Sequence, residues 1–219
     1  MAYIAQIMPL LMKGTMMMAG LFALTLVIAI PLGLPIMFGS TCKFKVVRFL
    51  CKCYIWIFRG TPLLLQLFFF YYFPGIAFGI RFGAFPTAVF TFALNYAAYF
   101  AEIYRGGMNS IDPGQYEAAH SLGLSKHQTT YGIIIPQTLK VVLPPMSNEV
   151  ITLIKDTALA SVITLDELMR LTQGLVSRDV TLTPYLIAAG IYLLFTFIMT
   201  MISDRVEKHF SKYDSQGEW

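Results

Sequence analysis

The chain has 219 residues, of which 57% are hydrophobic and only 13% charged, with a mean hydropathy of +0.65. Soluble chains carry roughly 25% charged residues, so a soluble fold of this length would leave large apolar patches in water. That excludes a disordered chain and argues against an ordinary soluble enzyme. The net charge of +4 is modest and scattered, which argues against nucleic acid as a partner. The three cysteines, Cys42, Cys51 and Cys53, form neither a paired framework nor a metal-ligand spacing, and their basic neighbours fit a reduced, cytoplasmic-side surface.

In chain order, four stretches lack Asp, Glu, Lys and Arg: 14–42, 60–80, 82–101 and 180–203. Each is near or above the length of about 18–20 residues that crosses a bilayer as a helix. The first reads as a span and not a cleaved leader: it is long, its charged flank is weak and no small-residue cleavage site follows. Pro31 and Pro35 are expected to limit or kink it. A fifth apolar region, about 136–163, carries Lys140, Glu149, Lys155 and Asp156, and therefore faces protein or a cavity, away from lipid. The expected fold is all-α: one polytopic domain over 1–219 with five transmembrane helices at about 9–41, 54–80, 82–106, 136–163 and 182–206. With the N-terminus outside and the C-terminus in the cytoplasm, the inner segments hold Lys43, Lys45, Arg48, Lys52, Arg105, Lys126, Lys140, Arg205, Lys208 and Lys212. The outer segments hold only Lys13, Arg81, Arg170 and Arg178.

The inner segment at about 107–135 is patterned as two short helices. Asp112 is a good N-cap, Pro113 suits the first helical position, and Gln115 has capping-box spacing. Gly123 suits the position after a helix of residues 113–122. Ser125 to Gln128 repeats the capping pattern, and Pro136 punctuates a second helix ending near Ile135. A DNA-reading helix-turn-helix is disfavoured by its place between spans and its few basic residues. A plain structural elbow or a docking module for a cytoplasmic partner remains.

Glu117-Ala118-Ala119-His120-Ser121-Leu122-Gly123, followed by Ile133-Ile134-Ile135-Pro136, resembles the EAA loop of ATP-binding-cassette importer permeases, with Ile in the usual Leu place. Arg59-Gly60-Thr61-Pro62-Leu63-Leu64-Leu65-Gln66, Asn95-Tyr96-Ala97-Ala98-Tyr99, Ala101-Glu102-Ile103-Tyr104-Arg105-Gly106-Gly107 and Lys155-Asp156-Thr157-Ala158-Leu159 resemble the polar amino acid (histidine/glutamine-type) permeases. The resemblance covers nearly the whole chain, in order. It implies a five-helix permease subunit in a bacterial plasma membrane, paired with a second copy or a paralogue. It also implies a cytoplasmic ATPase dimer docked on Glu117, Ala118, Ala119 and Gly123, and an extracytoplasmic substrate-binding protein. The chain has no phosphate-cradling Gly-x-x-x-x-Gly-Lys-Ser/Thr loop, so no cofactor is expected on it, and ATP with Mg belongs to the partner ATPase.

Ionisable and polar residues within the spans are the candidate substrate contacts. Glu149 and Asp156 are seven apart, which puts them within about 20° on one helix face. Arg59, with Thr61 in the Gly60-Thr61-Pro62 run, suits an amino acid's carboxylate, with backbone exposed where the proline interrupts the helix. Gln66 and Asn95 can donate and accept. Glu102 is a further candidate, or only an i,i+3 partner of Arg105. Purely structural roles stay open: an inner-interface pair for Arg59, an interhelical bond for Asn95, and a pairing of Glu149 or Asp156 with Lys140 or Lys155. A Glu at 149 resembles members that move basic amino acids; neutral polar substrates such as glutamine or cystine are the alternative, and an ion-coupled carrier is the rival. The aromatic run 68–73 reads as an interface belt. His120 and His127 lack a third ligand, so no metal is expected. Residues 165–170 read as a short outer helix able to act as a lid or a landing site for the binding protein.

Overall fold

The computed structural model describes residues 2–211, and within them the chain is helical throughout, without strands. Lys212, counted above among the inner basic residues, lies outside the described residues. The helices are α1 (Ala2–Thr41), α2 (Lys45–Gly60), α3 (Leu63–Phe78), α4 (Ala84–Asn109), α5 (Pro113–Ser121), α6 (Lys126–Thr129), α7 (Ile135–Asp156), α8 (Leu168–Asp179) and α9 (Thr183–Ser211). A π-turn at Thr130–Ile134 joins α6 to α7, and a 3-10 segment at Thr157–Ile163 follows α7.

Among the described residues, α1 and α9 are each long and apolar enough to cross a membrane alone. The expected span at 54–80 is two helices. The chain turns through 106° between α2 and α3, so 54–80 is not one straight helix. The cause is local. Pro62 disfavours the helical region for the residue before it, and Thr61 takes an extended conformation (φ −118°, ψ 144°).

Three other expectations change. Pro31 and Pro35 do not end the first helix: α1 runs through both to Thr41, with one flank packed closely on α4. Gly33 makes this approach feasible, since a Cβ there would lie 2.9 Å from the Phe100 Cβ. Pro136 does not end the second loop helix either; the chain widens into the π-turn ahead of it and continues as α7. Finally, residues 165–167 precede a helix rather than form one. Glu167, wholly buried, caps α8 by accepting from the Met169 and Arg170 backbone amides at 2.8 and 2.7 Å, and from the Tyr192 hydroxyl at 3.2 Å.

The core is the seam between α1, α4, α7 and the 3-10 segment, filled by Phe92, Tyr96, Phe100, Leu153 and Ile154. Helix α4 is buried along much of its length, because its small residues (Ala88, Ala93, Ala97, Ala98, Ala101) admit neighbours closely. A second cluster joins α1 to α8 and α9 through Leu11, Met18, Leu168 and Ala188. At that end the adjoining Arg178 guanidinium and the Tyr3 hydroxyl, which donates at 2.7 Å, hold the Asp179 carboxyl down to about 2.

Candidate functional site

The bend between α2 and α3 begins with a missing donor. In an uninterrupted helix the Phe58 carbonyl would accept from residue 62, and Pro62 has no N–H. Two buried amides supply the bond instead. Gln66 Nε2 and Asn95 Nδ2 each donate to the Phe58 oxygen at 3.0 Å, and Asn95 Nδ2 also donates to Gln66 Oε1 at 3.0 Å. Gln66 Nε2 further reaches the Thr61 carbonyl at 3.1 Å and Thr61 Oγ1 at 2.8 Å, while Thr61 Oγ1 donates to the Ile57 carbonyl at 2.8 Å. Thr61, Gln66 and Asn95 are therefore committed to the bend. The backbone that the proline frees is not left open: side chains close it.

The charged residues gather one turn away. Arg59 extends over the Tyr99 ring at 5.2 Å and lies 3.7 Å from Glu102, whose carboxylate also takes a two-point contact from Arg105, with Nε at 2.9 Å. Glu102 is thus the i,i+3 partner of Arg105 and a neighbour of Arg59. On α7, Glu149 and Asp156 are both half-buried and act on each other electrostatically, and the charge of Arg59 reaches Glu149. Asp156 accepts from the Tyr96 hydroxyl at 2.8 Å. Lys155 is exposed on another flank. Glu149 makes no hydrogen bond among the described residues. Helices α2, α4 and α7 so bring Arg59, Tyr99, Glu102, Tyr96, Glu149 and Asp156 into one cluster. Glu102 is shared by Arg105 and Arg59, the charge of Arg59 also reaches Glu149, and that of Lys155 reaches Asp156. A cavity of about 820 Å³ opens beside Arg59, Glu102 and Arg105.

Reasoning from the sequence gives no role to Tyr96 or Tyr99. Their signal is nonetheless present: two phenols in an otherwise apolar run, one and four residues after Asn95 in the same helical repeat.

The connecting segment keeps its expected turn. Asp112 Oδ1 accepts from the Gly114 amide at 2.8 Å, and α5 ends in a Schellman motif: Leu124 N–H to the Ala119 carbonyl and Gly123 N–H to the His120 carbonyl, both at 3.0 Å. Gly123 has φ +71°. The second capping box forms between Ser125 and Gln128, but the first does not, because Gln115 Oε1 accepts from Gln137 Nε2 at 3.1 Å instead. Ala119 is buried, while Glu117, Ala118 and Leu122 are exposed. The His127 ring packs at a tilt against Tyr131, and no cluster of three metal-ligating side chains occurs among the described residues.

These features define an all-helical membrane protein with ionisable groups gathered between its helices and a capped, exposed helical turn at one end. Residues 29–212 match the model of the family described as binding-protein-dependent transport system inner membrane component, and the chain belongs to that family. It is 37% identical over 208 residues to the L-cystine transport system permease protein TcyB of Bacillus subtilis (strain 168), covering 94% of this chain and 88% of that one. To the arginine transport system permease protein ArtQ of the same organism it is 34% identical over 207 residues, 94% of each. A solved structure titled as an amino acid ABC transporter with histidines superposes with a TM-score of 0.88 at 34% identity, covering 95% of this chain and 97% of that chain. The family is a transport component and not an enzyme.

Proposed function

We propose that the chain is the membrane permease subunit of an ATP-driven importer of polar amino acids, and that its substrate is basic. Supporting the transport reading, relatives at similar identity over most of their length carry the names of cystine and arginine permeases. The basic assignment rests on one observation: beside Arg59, which lies 3.7 Å from Glu102, the cluster holds two further half-buried carboxylates, Glu149 and Asp156. A basic amino acid has one carboxylate and two cations, the α-ammonium and the side chain. Glutamine, with a single ammonium, would leave one of these half-buried carboxylates without a substrate cation, which is costly at low dielectric. Glu102, Thr61, Gln66 and Asn95 shape this site from behind.

The remaining organisation follows the same reading. Five helical segments cross the membrane: α1, the bent pair α2–α3, α4, α7 with its 3-10 extension, and α9. The N-terminus lies outside and the C-terminus in the cytoplasm of a bacterial cell. Glu117, Ala118, Ala119 and Gly123 form the dock for a cytoplasmic ATPase dimer that holds ATP and Mg. The turn before α8 meets an extracytoplasmic binding protein, and a second permease subunit completes the path. The exposed module at α5 favours this over an ion-coupled carrier, which has no need of a dock.

The test is uptake into proteoliposomes that hold the complete transporter and ATP, with its binding protein outside. Glu149→Gln keeps the shape and removes the charge. Losing one partner of a fully buried charge pair costs about 3–5 kcal/mol, and a half-buried one costs less. We therefore expect uptake of a basic amino acid to fall about tenfold or more, while a neutral polar one is carried as well or better. A wild type that prefers glutamine or cystine, with a mutant indifferent to the change, would show Glu149 to be structural and the basic assignment wrong.

A further inference from the structure

Helix α2 carries a second feature, of which the transport reading uses only Arg59. Arg48, Lys52, Ile55 and Arg59 fall at helical spacing on one stripe, and all line the cavity of about 820 Å³ that the ends of α1 and α4 complete. At the inner wall Arg59 and Arg105 share one partner, Glu102. At the mouth, the side chains of Arg48 and Lys52 have no ion-pair or hydrogen-bond partner among the described residues. The same helix leaves Val46, Phe49, Leu50, Trp56 and Ile57 exposed, Trp56 at 77%. A cationic stripe flanked by bare aromatic and aliphatic side chains is the pattern of a helix lying in a membrane interface. The 106° turn sets α2 at a steep angle to the strongly apolar α3, so that where the pair crosses the membrane together the Arg48 end of α2 lies towards the inner interface.

We infer that the mouth of this cavity, at Arg48 and Lys52, binds the phosphate headgroup of an anionic phospholipid, with the acyl chains along the exposed face of α2. The chemistry selects that occupant over a soluble phosphate. A headgroup phosphate is a fixed anion at the depth where an indole such as Trp56 settles, and basic pockets between helices hold such groups. A free phosphate would leave Phe49, Leu50 and Trp56 bare to water. The pocket also differs from a general positive-inside charge. Lys43 and Lys45 serve orientation equally well but do not line the cavity.

That difference supplies the control. The assembled transporter, in nanodiscs of mixed phosphatidylglycerol and phosphatidylcholine, is released and its retained lipids are weighed by native mass spectrometry. Arg48→Gln with Lys52→Gln should reduce retained phosphatidylglycerol about tenfold, given two lost phosphate contacts, and Lys43→Gln with Lys45→Gln should leave it near wild type. None of the four side chains is buried, so folding survives both changes. Equal loss in both double variants would reduce the effect to surface charge and overturn the site. So would unchanged retention in the first, or displacement of the lipid by millimolar inorganic phosphate.

Discussion

Pro62 acts on its surroundings through the one hydrogen bond it cannot make. The orphaned Phe58 carbonyl lies against α4, and Gln66 and Asn95 answer it with two amides that also bond to each other. Asn95→Leu leaves Gln66 Oε1 without its donor, and a buried acceptor left without its partner costs about 1–3 kcal/mol. Asn95→Leu is therefore expected to lower the thermal midpoint of the purified protein by several degrees, and Gln66→Leu to do the same. The double variant should lose less than the sum, because the two amides are coupled. A strictly additive loss would mean that each amide works alone, and an unchanged midpoint would mean that the bend does not need them.

Among the helices and their joints, the α5 turn separates a backbone effect from packing. A Cβ added at Gly123 would meet nothing within 4 Å, yet φ is +71° there. Valine in the left-handed region costs about 1–2 kcal/mol, whereas asparagine tolerates it. Gly123→Val should thus unwind the Schellman turn and reduce co-purification of the ATPase, with the membrane subunit still assembled, and Gly123→Asn should retain it. Wild-type ATPase yield with Gly123→Val would remove the turn from the docking surface. The 3-10 segment after Asp156 is the other place where an element changes character, and it does so next to the carboxylate that Tyr96 holds.

For the complete protein in its bilayer the decisive measurement is sidedness. The five crossings proposed above would put the two ends of the chain on opposite faces, so a reporter after Trp219 should read cytoplasmic while a label at the N-terminus is reached from outside. Both ends on one side would mean an even number of crossings, and the bent α2–α3 pair would be the first candidate for a re-entrant turn, since neither arm, at 16 residues, is long enough to cross by itself.

The order of amino acids was enough to choose the solvent: charge content and uninterrupted apolar runs force an all-helical chain into a membrane, where backbone groups have no water to bond. It was also enough for the caps at Asp112, Ser125 and Gly123, because capping is a contest among neighbours a few residues apart. The seven-residue spacing of Glu149 and Asp156 needed only the helical repeat. What the polar side chains do had to wait for packing. Whether Gln66 and Asn95 face a substrate or a carbonyl depends on α4 lying against the bend, 29 residues away in sequence. Gln115 leaves its capping box for Gln137, and α1 passes through Pro31 and Pro35, because contacts from α7 and α4 outweigh local preference. Local rules set where a helix starts; which partner a buried polar atom finds is a property of the packed molecule, since desolvation makes any nearby donor worth more than a sequence-adjacent one exposed to solvent.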